Sequence, residues 1–186
     1  MNALTVNGKQ LTVDGVEILG CNDNIVGYSA FKLLMQGLGP HNASFPSNYV
    51  QWSEVGMSWK DNVERIGPDY FTLDSTALSG TPWGNGNPDK LFDGSIGGGD
   101  NDKFDAHNFT AAEVCFHTNS LITPSAYHFW SCLAGQWDYG GPWYAAPNIF
   151  TFYGKNENTQ QYDELITVSA SQLDLHDSTK TTLLAE

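Results

Sequence analysis

Four aromatic rings are concentrated in one glycine- and proline-rich segment, residues 132–147 (CLAGQWDYGGPWYAAP). The flat face of an indole or a phenol matches the apolar C–H face of a pyranose, and a nearby carboxylate accepts hydrogen bonds from sugar hydroxyls. The segment therefore predicts a glycan-binding site. Its ligand-binding residues are Trp137, Asp138, Tyr139, Trp143 and Tyr144. Two alternatives stay open: the rings form a lid over the end of the domain, or they contact another protein.

A strand, a polar turn and a returning strand are predicted over residues 148–175. Phe150 and Phe152 stand two residues apart, and the apolar run stops at Gly154. The polar residues 155–158 (KNEN) follow, and a second apolar run ends near Val168. Because successive side chains of a strand point to opposite faces, this period indicates two strands of a sheet that is buried on one face.

Part of this segment, FTFYGKNENTQQYDEL, resembles the strand pair W-T-x-Y-G-S-N-D-G-x-x-W-x-x-L of discoidin-like domains, also called coagulation factor 5/8 type C or galactose-binding-like domains. Residues 90–95 (KLFDGS) are similar to the aspartate–glycine loop of that family, and residues 112–116 (AEVCF) and 122–129 (ITPSAYHF) resemble another pair of its strands. The resemblance spans residues 69–175 and implies an all-β fold, an antiparallel β-sandwich of the jelly-roll type. The 13% of aromatic residues and 19 glycines also suit short strands joined by long loops.

The last two strands of the family are missing after residue 175, and similar phrases stand at the front of this chain. They are residues 28–35 (YSAFKLLM) and 49–57 (YVQWSEVGM). The resemblance therefore implies a circular permutation, which is tolerated where the termini of a domain lie close together at its surface. The alternative is a fragment of a tandem array, which would complete its sheet by exchanging strands with a neighbour.

One domain is predicted over residues 1–186, with the permuted terminal strands in residues 26–60 and the main body in residues 69–186. Residues 1–25 are predicted to form an N-terminal hairpin extension, because Asn-Gly and Asp-Gly dipeptides at positions 7–8 and 14–15 favour tight hairpin turns.

Polar connections are expected elsewhere in the chain. Residues 61–68 are predicted as a connector, residues 79–103 and 132–147 as long loops, and residues 169–175 as one helical turn.

A structural calcium ion is also implied by the resemblance, because the aspartate–glycine loop of the family commonly holds one. Carried over by position, its ligands in this chain are Asp93, Ser95 and Glu54. Oxygen ligands on a glycine-rich loop suit the flexible coordination of calcium. The alternative is an Asx turn at Asp93 without a metal.

The chain carries 8 Lys and Arg residues against 21 Asp and Glu residues, a net charge of −13. Nucleic acids and anionic membranes attract basic proteins, so neither partner is expected. No apolar run is long enough for a membrane-spanning helix, and the first residues lack the features of a signal peptide. The compartment stays unspecified, and an extracellular-facing or virion surface is the expected place of action.

The three cysteines, Cys21, Cys115 and Cys132, form no Cys-x-x-Cys pair. This pattern disfavours a zinc ribbon, and the odd number indicates synthesis in a reducing compartment. Cys115 lies in an apolar stretch and is predicted to be a buried thiol. A bond between Cys115 and Cys132 requires that the fold brings them within disulfide reach.

No nucleophile elbow, zinc-protease motif, phosphate loop or dinucleotide fingerprint occurs in the sequence. His117 and His128 are expected to be structural, and the chain is expected not to be an enzyme. A glycan-active enzyme stays the weakest alternative, because 21 acidic residues guarantee carboxylate pairs and so discriminate nothing.

Two functions from different classes fit the chain better. The first is a non-catalytic carbohydrate-binding module or adhesin whose partner is a glycan or glycoconjugate. The second is a structural or receptor-binding component of a phage or virus particle (a tail, fibre or decoration protein) that forms a homo-oligomer or joins a virion. Glycan binding discriminates between them.

Overall fold

Strands make up most of the protein. The computed structural model describes residues 5–6, 9–10, 12–13, 16–17, 27–41, 48–60, 62–96, 103–132, 145–175 and 179–185. Within these ranges every strand pair is antiparallel, and the only helices are two short 3₁₀ helices, Pro88–Phe92 and Ala170–Gln172. The predicted all-β antiparallel class is therefore confirmed, and the second 3₁₀ helix lies where one helical turn was expected.

The strands are, in chain order, β1 (Thr5–Val6), β2 (Lys9–Gln10), β3 (Thr12–Val13), β4 (Val16–Glu17), β5 (Tyr28–His41), β6 (Tyr49–Trp52), β7 (Glu54–Trp59), β8 (Val63–Arg65), β9 (Thr72–Pro82), β10 (Phe104–Ile122), β11 (Pro124–Trp130), β12 (Ala145–Asn156), β13 (Tyr162–Ser169) and β14 (Lys180–Leu184). A six-stranded sheet has the order β13-β12-β5-β10-β6, and β9 pairs with the other edge of β10. A four-stranded sheet has the order β14-β11-β7-β8.

The long strand β10 organises the larger sheet. Its residue Ala111 is opposite Gln36 of β5 on one edge and opposite Ser79 of β9 on the other. Nearer its start, His107 is opposite Tyr49 of β6. Strands β5 and β6 therefore pair with successive parts of β10.

Aromatic rings from both sheets meet in a single core. Phe150 of β12 packs on Phe129 of β11 with ring centroids 5.5 Å apart, and Phe152 packs on Tyr127 at 5.1 Å. All four residues are buried. Because burying one such ring contributes about 1.5–3 kcal/mol, this layer is a major source of the free energy that holds the two sheets together. The protein is an antiparallel β-sandwich.

Residues 28–59 contribute strands to both sheets. β5 lies between β12 and β10, and β7 lies between β11 and β8, so each has a partner from this chain on both edges. This pairing is compatible with a circular permutation. The permutation and the jelly-roll order stay predictions.

Two hairpins are described near the start of the chain. Val6 is opposite Lys9 in the β1–β2 pair, and Val13 is opposite Val16 in the β3–β4 pair. The dipeptides at positions 7–8 and 14–15 stand between these strands, outside the described residues.

Several predicted boundaries were wrong. The strand expected to stop at Gly154 continues to Asn156, because this glycine leaves room for the Tyr28 ring, whose nearest atom would lie 2.4 Å from an added Cβ. The expected connector at residues 61–68 contains β8, where the Arg65 guanidinium stacks on the Trp59 ring at 4.2 Å. The loops expected at residues 79–103 and 132–147 are shorter, since β9 extends to Pro82 and β12 begins at Ala145.

Cys115 was expected to be a buried thiol because its neighbours are apolar, but it is only partly buried. It lies on the outer side of β10, between the buried residues Val114 and Phe116, and its Sγ is 3.7 Å from Glu113 Oε1. Cys132 is buried, and both cysteines are free thiols.

Candidate metal centre and aromatic surfaces

Glu54 is a fully buried carboxyl at the start of β7. The strand pairing with β11 fixes its position, because Glu54 lies opposite Trp130 and the N–H of the preceding Ser53 donates a 3.2 Å hydrogen bond to the Trp130 carbonyl. Burying a carboxylate is unfavourable without compensating partners, so the surroundings of Glu54 are informative.

The aspartate–glycine loop is held against Glu54 by the first 3₁₀ helix. This helix has Pro88 at its start, which suits the fixed φ of proline, and its last residues Leu91 and Phe92 are buried in the core. The chain then turns at Gly94, whose φ of +80° favours glycine. The core contacts of the helix thus position the three residues that follow it.

The structure brings the three predicted ligand residues together. The Gly94 N–H donates a 3.0 Å hydrogen bond to Glu54 Oε2, and Ser53 Oγ lies 3.5 Å from the Ser95 carbonyl oxygen. The Ser95 N–H donates to Asp93 Oδ1 at 2.9 Å, which is the Asx turn considered as the alternative. Lys90 Nζ lies 3.2 Å from Asp93 Oδ2.

The charge state of Glu54 depends on this environment. Burial raises its pKa to about 9, and the nearby Asp93 adds to the rise, while backbone N–H groups of Gly94, Val55 and Ser95 oppose it. Glu54 Oε1 is buried and has no hydrogen-bond partner within the described part of the chain. A carboxyl in this state holds either a proton or a nearby cation.

The donor set fits a hard cation. Glu54 Oε1 is an orphaned buried oxygen, and the Asp93 carboxylate and Ser95 carbonyl lie on the same loop. Among the described residues no three His, Cys, Asp or Glu side chains form a metal-binding group, so an ion here would also need backbone oxygens. Calcium accepts such mixed oxygen ligands.

The predicted glycan-binding residues lie outside the described ranges; they are Trp137, Asp138, Tyr139, Trp143 and Tyr144. Their flanks are described. Cys132 and Ala145 are buried, and they line one small cavity together with Trp52. Cys132 and Ala145, the described residues on either side of the segment, therefore lie close together.

Sequence reasoning missed an exposed tryptophan. Trp83 follows β9, is 57% exposed, and its ring centroid lies 4.7 Å from that of His107. The available signal was a tryptophan among the glycines and asparagines of residues 82–87 (PWGNGN). Its contact with His107 depends on how β9 pairs with β10, and the local sequence pattern does not specify that pairing.

His128 lies between two hydroxyl groups on the outer side of β11. Its Nε2 is 2.7 Å from Ser58 Oγ and its Nδ1 is 3.0 Å from Thr182 Oγ1. Burial lowers the pKa of His128, and both His128 and Ser58 are buried. This geometry satisfies both ring nitrogens and leaves neither Ser58 nor His128 open to solvent.

No protein-family model, no curated protein and no solved structure matches the chain. The resemblance to discoidin-like domains accordingly rests on the sequence motifs. Among the described residues, no helix has the length and apolar character needed to cross a membrane.

Proposed function

We propose that this chain is a non-catalytic carbohydrate-binding module or adhesin, built as a permuted discoidin-like jelly roll. Its glycan contacts come from Trp137, Asp138, Tyr139, Trp143 and Tyr144. The observation that supports this most is the anchoring of their segment: Cys132 and Ala145 are buried beside Trp52 at neighbouring points of the sandwich. Binding loops held by a rigid scaffold are the usual place of recognition in such folds.

The proposal includes a structural calcium ion. Glu54, Asp93 and Ser95 would hold it, and the ion would neutralise the buried carboxyl and stabilise the loop after Phe92. The orphaned Glu54 Oε1 supports this assignment. Lys90 Nζ, which pairs with Asp93 Oδ2, would have to give up that contact. The ion has no part in a reaction, and the proposed place of action is an extracellular-facing or virion surface.

A glycan microarray tests the function. We expect the wild-type chain to bind a defined subset of glycans, and Trp137→Ala and Trp143→Ala to remove that binding while the thermal unfolding temperature stays unchanged. Tyr70→Ala is a matched control. Tyr70 is also an exposed aromatic ring, but it contacts Trp59 of β7 and is not one of the predicted glycan-binding residues. Absence of wild-type binding to every glycan would contradict the proposal, and so would release of reducing sugars.

A structural role in a phage or virus particle is the second candidate, and the open edge of β9 favours it. Among the described residues this strand pairs only with β10, most of its residues are exposed, and Asp74 is its only charged residue. Long exposed edges with little charge are suited to pairing with a strand of another chain. Light scattering after size exclusion tests this role, which predicts a stable homo-oligomer at low concentration without any glycan response.

A further inference from the structure

Trp83 is the most exposed aromatic side chain among the described residues. The residue is 57% exposed, compared with 43% for Tyr70 and 41% for Tyr162. A large exposed ring on a soluble protein is informative when the structure holds it in one place, because such a ring is suited to binding.

Backbone contacts hold Trp83 in place. Its N–H donates a 2.9 Å hydrogen bond to the Asp105 carbonyl, and its own carbonyl accepts one of 2.9 Å from the Gly86 N–H. The Asp105 N–H in turn donates to the Gly86 carbonyl at 3.0 Å. The turn from Trp83 to Gly86 is therefore fastened to β10, which reduces the entropy lost when a ligand binds.

Two further rings support the indole. The His107 centroid lies 4.7 Å from that of Trp83, with the ring planes inclined at 41°. Tyr49 packs edge-on against His107, also at 4.7 Å, and is buried. Trp83 is thus backed by His107 and Tyr49 while more than half of its side chain remains exposed to solvent.

Uncharged polar groups of the described residues lie beside this stack. Asn108 follows His107, and Asn48 Nδ2 donates a 2.6 Å hydrogen bond to its Oδ1 at the surface. Thr81, the cross-strand partner of His107, is exposed. The ion pair of Lys103 with Asp105, at the start of β10, is buried. An aromatic platform with amide and hydroxyl neighbours is suited to a pyranose, whose C–H face stacks while its hydroxyl groups form hydrogen bonds.

The platform lies at the end of the larger sheet where β12 begins. Ile149, Gln36, Ala111 and Ser79 form one row across β12, β5, β10 and β9. The strands alternate in direction, so the start of β12 at Ala145 and the end of β9 at Pro82 lie on the same side of that row. Ala145, the first residue of β12, therefore lies at the end of the sheet that carries Trp83.

We propose that Trp83, backed by His107, is a stacking site for an uncharged pyranose unit of a glycan chain. This inference rests on the proposed carbohydrate-binding function and adds a contact that residues 133–144 do not supply. The net charge of −13 disfavours sialylated and uronic-acid glycans, so the ligand class is neutral.

The test uses a microarray of neutral and anionic glycans with the full chain and three variants. Wild type should bind neutral glycans, and Trp83→Ala should bind the same glycans about tenfold more weakly, as expected for the loss of roughly one stacking contact. Trp83→Phe should fall between them, and Tyr70→Ala should bind like wild type. Equal binding by Trp83→Ala and wild type would overturn the inference while leaving the proposed function intact.

A second measurement covers the case in which Trp83→Ala does not fold. In wild type labelled with ¹⁵N, the indole N–H resonance of Trp83, assigned from the Trp83→Phe spectrum, should shift when the best neutral glycan of the array is added. An unchanged Trp83 resonance at saturation would overturn the inference. Absence of any wild-type glycan binding would overturn both the proposed function and the inference, and a preference for anionic glycans would overturn the neutral ligand class.

Discussion

Glu54 and Gly94 lie 40 residues apart in the chain, and the Gly94 N–H donates a 3.0 Å hydrogen bond to Glu54 Oε2. This contact fastens the loop after the first 3₁₀ helix to the start of β7. The carboxyl is buried, and its pKa of about 9 means that a proton remains on it at neutral pH unless a cation lies nearby. The loop and the charge state of Glu54 are therefore coupled.

Glu54→Gln should remove the response of the protein to calcium. The amide has the shape of the protonated carboxyl but not its charge, so in chelator the variant should unfold within about 1 kcal/mol of wild type. Calcium at about one hundred times its dissociation constant should raise the wild-type melting temperature by about 5–10 °C. Thermal unfolding with and without calcium measures both quantities.

The matched control for this experiment is Glu64→Gln. Glu64 pairs with Lys180 of β14 at 2.5 Å and is not one of the predicted ligands, so this variant should respond to calcium like wild type. A wild-type melting temperature that calcium leaves unchanged would contradict the calcium site. A full calcium response in Glu54→Gln would exclude Glu54 as a ligand.

His128 should make the protein less stable in acid. Burial lowers its pKa in the folded state below the ordinary value of 6.5, so the unfolded chain binds a proton more readily. The stability contributed by the neutral ring is present above about pH 7 and is lost as the pH falls through the unfolded pKa toward the folded one. Urea unfolding from about pH 7 to pH 5 should therefore show a smaller loss of stability in His128→Gln than in wild type.

His117→Gln serves as the control for the acid prediction. His117 is half-exposed and lies 2.7 Å from Asp74, whereas His128 is buried. We expect this variant to keep the acid sensitivity of wild type. Equal acid sensitivity in His128→Gln and wild type would contradict the role of His128.

The strand pairing around Phe150 and Phe152 could be predicted because a period of two is a local signal. The approach of Glu54 to Asp93 followed from the resemblance, since no local pattern joins two residues so far apart. Strand β8 was missed because its three residues lack alternation and Arg65 stacks on Trp59. Trp83 was missed because its support by His107 follows from the register of β9 and β10.

Gly86→Ala should destabilise the protein more than Gly84→Ala. A Cβ at residue 86 would lie 2.5 Å from Asp105 Cβ and 2.9 Å from the Asp105 backbone N and O, so the turn would have to separate from β10. We expect a loss of about 2–4 kcal/mol in the free energy of unfolding, from overpacking and broken backbone hydrogen bonds. Urea denaturation measures this loss.

Gly84 provides the comparison for this prediction. Its φ is +56°, and a Cβ there would meet nothing within 4 Å. Gly84→Ala should therefore lower the free energy of unfolding only by about 1–2 kcal/mol, the cost of placing alanine in a left-handed conformation. If Gly86→Ala proved as stable as Gly84→Ala, the turn would not be fastened to β10 as described.

Cys115 should react with iodoacetamide faster than Cys132 in the native protein. Cys115 is half-buried on the outer side of β10, whereas Cys132 is buried and its pKa is raised to about 12 by that burial. Burial also raises the pKa of Cys115, but its thiol reaches solvent without local unfolding. A Cys21→Ser background, with alkylation followed by peptide mass spectrometry, should show a rate ratio of at least about tenfold. In denaturant the two rates should converge. Equal rates in the native state would contradict the prediction, because they would mean that Cys132 is accessible and that the residues around it pack less tightly than their burial indicates.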